Sequence, residues 1–125
     1  MSANPVIMIR YAHVLLIYAE AQARSSSAPS AEAYDAINAV RHRAGLGDLT
    51  AGLSSKAFAD SVVQERAWEF AGEWNRWFDL IRLEQVEAAN EGKDAGDLQI
   101  TAGAITKDKY WMPIPGADAQ IDPNL

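Results

Sequence analysis

The sequence predicts an all-α fold: an antiparallel helical hairpin over residues 9–45, a long kinked helix over 55–91, and an irregular, partly extended tail over 92–125. Three observations predict it. Apolar residues recur at helical spacing as far as residue 91. Polar and glycine punctuation falls where helices have to begin and end. Beyond that point glycines and alternating prolines erase the period.

The first helix is expected over residues 9–24. Ile9, Leu16, Ala19 and Ala23 share one face, and Tyr11, Val14, Leu15 and Tyr18 widen the apolar stripe to most of the circumference. A helix apolar nearly all round has to be covered on several sides, as an inner helix of a stack would be. Ala12, Ala19, Ala21 and Ala23 are small enough for a neighbouring helix to come close. The run Ser25-Ser26-Ser27-Ala28-Pro29 breaks the helix, and Ser30 is placed to N-cap the next. That second helix, over 31–44, carries Ala33, Ile37, Val40 and Ala44 as its core stripe and stops at Gly45, since glycine takes the left-handed C′ conformation at little cost. So short a connection makes the two helices antiparallel neighbours.

Ser54 or Ser55 opens a third helix through Phe58, Val62, Ala67, Trp68 and Phe70. Gly72 then produces either a kink or a break, and helix continues over 75–91 with Trp77, Phe78, Leu80, Ile81 and Val86. Glycine in a helix interior costs about 1 kcal/mol relative to alanine, which packing on both sides can offset. Gly92, Gly96 and Gly103 mark an aperiodic stretch. Tyr110-Trp111-Met112-Pro113-Ile114-Pro115 reads as extended, because alternating prolines forbid helix and remove backbone donors.

Composition excludes several classes. The 125 residues are 49% hydrophobic and 22% charged, as in a globular domain or a piece of one. A net charge of −6 with dispersed arginines argues against nucleic acid. With no cysteine there is no disulfide, thiolate metal site or lipidation cysteine within this stretch. Met1-Ser2-Ala3-Asn4-Pro5 lacks the basic and apolar regions of a signal peptide, and the longest apolar run is far short of the roughly 20 residues that span a bilayer. If the natural protein is exported, its address is expected upstream.

Three blocks carry a resemblance to a known family. The first is Arg10-Tyr11-Ala12-His13-Val14-Leu15-Leu16-Ile17-Tyr18-Ala19-Glu20-Ala21, followed by Ile37-Asn38-Ala39-Val40-Arg41-His42-Arg43-Ala44-Gly45. The second runs Glu65-Arg66-Ala67-Trp68-Glu69-Phe70-Ala71-Gly72-Glu73-Trp74-Asn75-Arg76-Trp77-Phe78-Asp79-Leu80-Ile81-Arg82. The third is Tyr110-Trp111-Met112-Pro113-Ile114-Pro115 followed by Asp122-Pro123-Asn124-Leu125. In order and spacing they resemble the C-terminal part of the SusD/RagB nutrient-binding lipoproteins of bacterial outer membranes. His13 stands where that family usually has Glu, and Ala71-Gly72-Glu73-Trp74 disturbs its usual Glu-Gly pair.

The resemblance implies a C-terminal fragment whose hairpin is the last tetratricopeptide-like pair of a helical scaffold. It also implies a surface-exposed lipoprotein of the cell outer membrane, with signal, anchor and most of the ligand-binding region upstream. Such a protein captures an oligosaccharide or other nutrient and hands it to a SusC-like TonB-dependent transporter, with no bond made or broken. Two other readings compete: a freestanding tetratricopeptide-like protein-interaction module, and a carbohydrate-active enzyme using two glutamates, which Glu69→Gln would inactivate.

Chemistry-bearing residues are few. Glu65, Glu69 and Glu73 recur every four residues and are expected on one helix face. As a metal or acid–base cluster they lack a Glu-x-x-His partner, so a solvated or arginine-paired face near Arg66, Arg76 and Arg82 is the better reading. Asp79, three residues from both Arg76 and Arg82, is within reach of either, and Arg66, Glu69, Arg76, Asp79 and Arg82 are taken as structural ion pairs. Trp68, Trp77, Phe78 and Trp111 are expected in packing roles, whereas Trp74, beside Glu73 and Asn75, is expected exposed and is the candidate sugar contact. His13 and His42 read as hydrogen-bonded structural histidines. No serine-nucleophile elbow or phosphate loop is present, so no catalytic residue, cofactor or metal is expected.

Overall fold

A computed structural model describes residues 8–91, 107–111 and 115–121. It divides into two compact units, Met1–Arg76 and Trp77–Leu125. Among the described residues the regular structure is entirely helical: α1 (Tyr11–Ser25), α2 (Ala31–Arg43), α3 (Ser55–Glu69), α4 (Asn75–Arg82), α5 (Val86–Asn90), a 3-10 turn (Lys107–Tyr110) and α6 (Gly116–Ile121).

In the first unit α1 packs against both α2 and α3. Leu16, Ala19 and Ala23 of α1 meet Ala33, Ala36, Ile37 and Val40 of α2 and Phe58, Ala59 and Val62 of α3. The alanines let the helices approach closely, and Tyr34 meets Phe58 edge-on at 4.7 Å between ring centroids. Small residues thus bring the helices together, and a few large ones fill the seam.

The caps explain where each helix begins and ends. Ser30 Oγ accepts the Ala33 N–H at 3.3 Å, and Ser54 Oγ accepts that of Ala57 at 3.3 Å. The α1–α2 turn is held by the Ser30 N–H donating to Gln22 Oε1 at 3.0 Å. Helix α2 ends in a Schellman turn: Leu46 N–H reaches the Arg41 carbonyl at 2.9 Å and Gly45 N–H that of His42 at 3.0 Å, with Gly45 at φ +77°. The following loop is tied down by Asn38 Oδ1, which accepts the Leu49 N–H at 2.9 Å, and by Tyr34 Oη, which accepts the Leu53 N–H at 3.0 Å.

The structure departs from the sequence reading in three places. Of the alternatives left open at Gly72, it adopts the break: α3 stops at Glu69, Gly72 takes φ +82°, and α4 starts only at Asn75. The expected helix over 75–91 is divided again where Glu84 adopts φ +53° and Gln85 N–H returns to the Leu80 carbonyl at 2.9 Å. The 55–91 segment is therefore three helices, with no continuous bent one. Second, Phe78 is 64% exposed and Trp77 38%. Helix α4 buries its Asp79–Leu80 side; at about 100° per residue Phe78 falls roughly 200° from Leu80, on the far side, and Trp77 about 60° away, at the margin. Trp68 and Trp111 are exposed too. Third, the tail holds short helical pieces at Lys107–Tyr110 and Gly116–Ile121, the second following Pro115, which cannot continue a strand ladder but readily precedes a helix. The expected irregular stretch over 92–106, the core of the Pro113-Ile114-Pro115 run and residues 122–125 lie outside the described residues.

In the second unit Leu80, fully buried Val86 and Tyr110 form a small cluster with Ile81 and Ala89. The Tyr110 hydroxyl donates to Glu87, and Lys107 pairs with Glu84.

Helix α1 is covered on the side of α2 and α3, whereas Tyr11, Val14, Ile17 and Tyr18 are exposed, Tyr11 to 76%. The sequence requires cover on several sides, and the described residues supply part of it. No helix among the described residues is long and apolar enough to cross a membrane.

Two glycines separate conformational strain from crowding. A Cβ at Gly45 or at Gly47 would meet nothing within 4 Å, but only Gly45 of the two has a left-handed φ. Gly45→Ala is expected to cost about 1 kcal/mol, seen as a melting temperature lowered by several degrees, with Gly47→Ala close to the parent.

Candidate functional site

The densest polar feature of the first unit surrounds the C-terminal end of α3. Glu65 and Glu69 lie on α3, but Glu73 lies beyond the helix end, in the turn that leads to α4. Each is met by arginines from distant parts of the chain. Arg41 Nη1 donates to Glu65 Oε2 at 2.8 Å while its Nε holds the Gly47 carbonyl at 2.8 Å. Arg43, also from the last turn of α2, donates to Glu69.

Arg10, the residue before α1, reaches furthest. Its Nη1 donates to Glu69 Oε1 at 2.8 Å, its Nη2 to the Glu69 carbonyl at 2.9 Å and to Glu73 Oε1 at 2.8 Å, and its Nε to both Glu73 oxygens at 3.1 Å. The bond to the Glu69 carbonyl satisfies one of the acceptors that every helix leaves open at its C-terminal end, where a cation is also favoured by the helix dipole. The Arg10 guanidinium lies 5.0 Å from the ring centroid of buried Phe70, and that of Arg66 lies 5.4 Å from it. His13, a tilted ring at 5.0 Å from Phe70, places Nε2 3.5 Å from Arg66 Nη2.

The electrostatics follow from these contacts. Hydrogen bonds from Arg10 hold the Glu73 carboxyl below the usual carboxylate range, outweighing a partial desolvation that acts the other way. The same bonds push the Arg10 guanidinium still higher. A carboxylate held ionised beneath an arginine fork is suited to bracing a turn and is poorly suited to donating a proton in catalysis. Among the described residues no group of three or more His, Asp or Glu side chains is placed to hold a metal ion.

The residues assigned from sequence are dispersed. Arg66 is buried beside Phe70. Glu69 is paired with Arg10 and Arg43. Asp79 is buried and accepts from Arg82 Nε at 3.0 Å and Nη2 at 2.8 Å, the i,i+3 pair the spacing allows. Arg76 is half-buried at the start of α4. The sequence reading missed Arg10, Arg41 and Arg43: they stand 24 to 63 residues from their partners, and local spacing carries no signal at that range.

Trp74 stands apart from this network. It is 88% exposed and sits at φ +65°, left-handed backbone that side chains other than glycine and asparagine rarely adopt. That backbone costs about 1–2 kcal/mol. Leaving a large apolar side chain in water also forgoes roughly 1.5–3 kcal/mol of burial. The turn is nonetheless well determined: Glu73 N–H returns to the Phe70 carbonyl at 2.9 Å, Gly72 supplies the other left-handed position, and Arg10 clamps the Glu73 side chain.

The SusD family model matches residues 1–125. The chain belongs to the SusD family. Among its relatives are two SusD-like proteins of Formosa agariphila. One is 34% identical over 131 aligned residues, covering 99% of this chain and 25% of the relative. The other is 38% identical over 79 residues, covering 61% of this chain and 15% of the relative. The fold agrees as well: the crystal structure of a SusD homolog from Bacteroides thetaiotaomicron superposes with a TM-score of 0.80 at 32% identity, over 94% of this chain and 25% of that one. The chain thus spans about a quarter of the length of the first of these SusD-like proteins and of the solved SusD homolog.

The Arg10 clamp predicts an acid response. The Glu73 pKa is depressed in the folded state, so its contribution is complete above the unfolded value of 4.5 and is lost as pH falls below that. The parent's melting temperature is expected to fall between about pH 5 and pH 3, and Glu73→Gln, less stable at neutral pH, is expected to show a shallower fall over that window.

Proposed function

We propose that this chain is the C-terminal part of a surface-exposed outer-membrane lipoprotein that binds a glycan or other nutrient and works with a SusC-like TonB-dependent transporter. Its own contribution is scaffold: a tetratricopeptide-like hairpin braced against α3. Binding is passive, with capture and handover and no turnover.

The observation that carries this reading is family membership along the whole chain, with the same fold as a solved SusD homolog. The arginine partners of Glu65, Glu69 and Glu73 fit a structural role for these carboxylates better than the hydrolase reading, in which one glutamate has to exchange a proton. A freestanding interaction module accords less well with relatives of which this chain is about a quarter. It also leaves a single hairpin where helical repeat arrays usually need about three repeats.

Intact-mass and N-terminal analysis of the native gene product in its own host tests the proposal. The expected result is a far longer chain with a lipidated N-terminal cysteine, in the outer-membrane fraction and co-purifying with a β-barrel transporter. An unmodified soluble protein of 125 residues would contradict it and favour the interaction module.

A further inference from the structure

The turn between α3 and α4 buries one large side chain, Phe70, and holds the other, Trp74, outward. Trp74 combines a left-handed backbone with 88% exposure, yet the turn beneath it is fixed by buried Phe70, by the Glu73–Phe70 backbone bond and by the Arg10 fork on Glu73. An apolar plane held outward on a rigid base is preordered for a ligand, because little freedom remains to be lost on binding.

Three features point to the ligand's chemistry. Glu69 and Glu73 are matched by Arg10 and Arg43, so the turn offers no unopposed carboxylate to select a cation. Ala71 and Gly72 are exposed and small, and a Cβ built on Gly72 would meet nothing within 4 Å, which leaves the turn uncluttered on that side. Asn75 follows directly, with an amide able to donate to and accept from hydroxyl groups.

We propose that Trp74 is a preformed stacking platform for a neutral pyranose unit, a glycan contact on the scaffold side of the protein. It rests on the glycan-binding reading above, and the test separates the two.

The full-length gene product is screened on an array of neutral hexasaccharides of the malto, cello, xylo, manno and laminari series, and the tightest binder is then measured by isothermal titration. Trp74→Gly and Trp74→Asn both tolerate the left-handed backbone, so both are expected to melt close to the parent. The proposal expects Kd to rise roughly fivefold or more in these two variants and to be largely restored in Trp74→Phe. Unchanged Kd in Trp74→Gly, with the parent still binding, overturns the platform and leaves the glycan reading intact. Unchanged Kd with loss of transporter co-purification also overturns it, making the indole a protein anchor. Binding of none of these hexasaccharides by the parent overturns the platform for a neutral pyranose, while the lipidated N-terminus and transporter co-purification test the uptake reading separately. A large drop in melting temperature for both Gly and Asn variants contradicts the strained turn on which the platform depends.

Discussion

One guanidinium group holds the first unit in its arrangement. Arg10 stands at the mouth of α1 and closes on three acceptors at the far end of α3: the Glu69 carboxylate, the Glu69 carbonyl and the Glu73 carboxylate. Each serves a different need. The Glu69 carboxylate is 4% exposed and would be a costly buried charge without its arginines. The carbonyl is an open helix terminus, and Glu73 belongs to a turn containing two left-handed residues. The planar fork of arginine can meet all three at once, which a lysine ammonium cannot do with the same geometry. Phe70 beneath the fork joins this polar clamp to the apolar core, so the placement of α3 and the path of the turn are set together.

The family resemblance and the clamp coincide. The residues that mark the first two blocks of the sequence, Arg10 in one and Glu65, Arg66, Glu69 and Glu73 in the other, are those that meet around Phe70 or along α3. The signature is therefore architectural in this chain. It describes how a hairpin is fastened to the next helix. A cluster braced by arginines accords with the proposed binding role and leaves the outward-facing Trp74 as the residue whose placement the packing does not explain.

What was legible in the sequence was local. Ser30, Gly45 and Ser54 fix helix ends through bonds spanning three to five residues, so residue type and spacing were enough. The Asp79–Arg82 pair and the exposure of Trp74 were legible for the same reason. What was illegible depended on the third dimension. Arginine partners across 24 to 63 residues have no local signature. Phe78 and Trp77 read as core because an unbroken helix would give them neighbours on that face; once the chain turns at Gly72 and again at Glu84, α4 is too short to bury more than its Asp79–Leu80 side. The helix at Gly116–Ile121 was hidden by the prolines before it, although Ala117, Asp118, Ala119 and Gln120 include good helix formers.

The claim that Arg10 fastens the end of α3 to the start of α1 is tested most directly by a double-mutant cycle on Arg10→Met and Glu69→Gln, read by urea unfolding. A coupling free energy above about 1 kcal/mol is expected, beyond the range of exposed ion pairs. Additive effects of the two substitutions, with no coupling within error, would contradict it and reduce the fork to a surface contact.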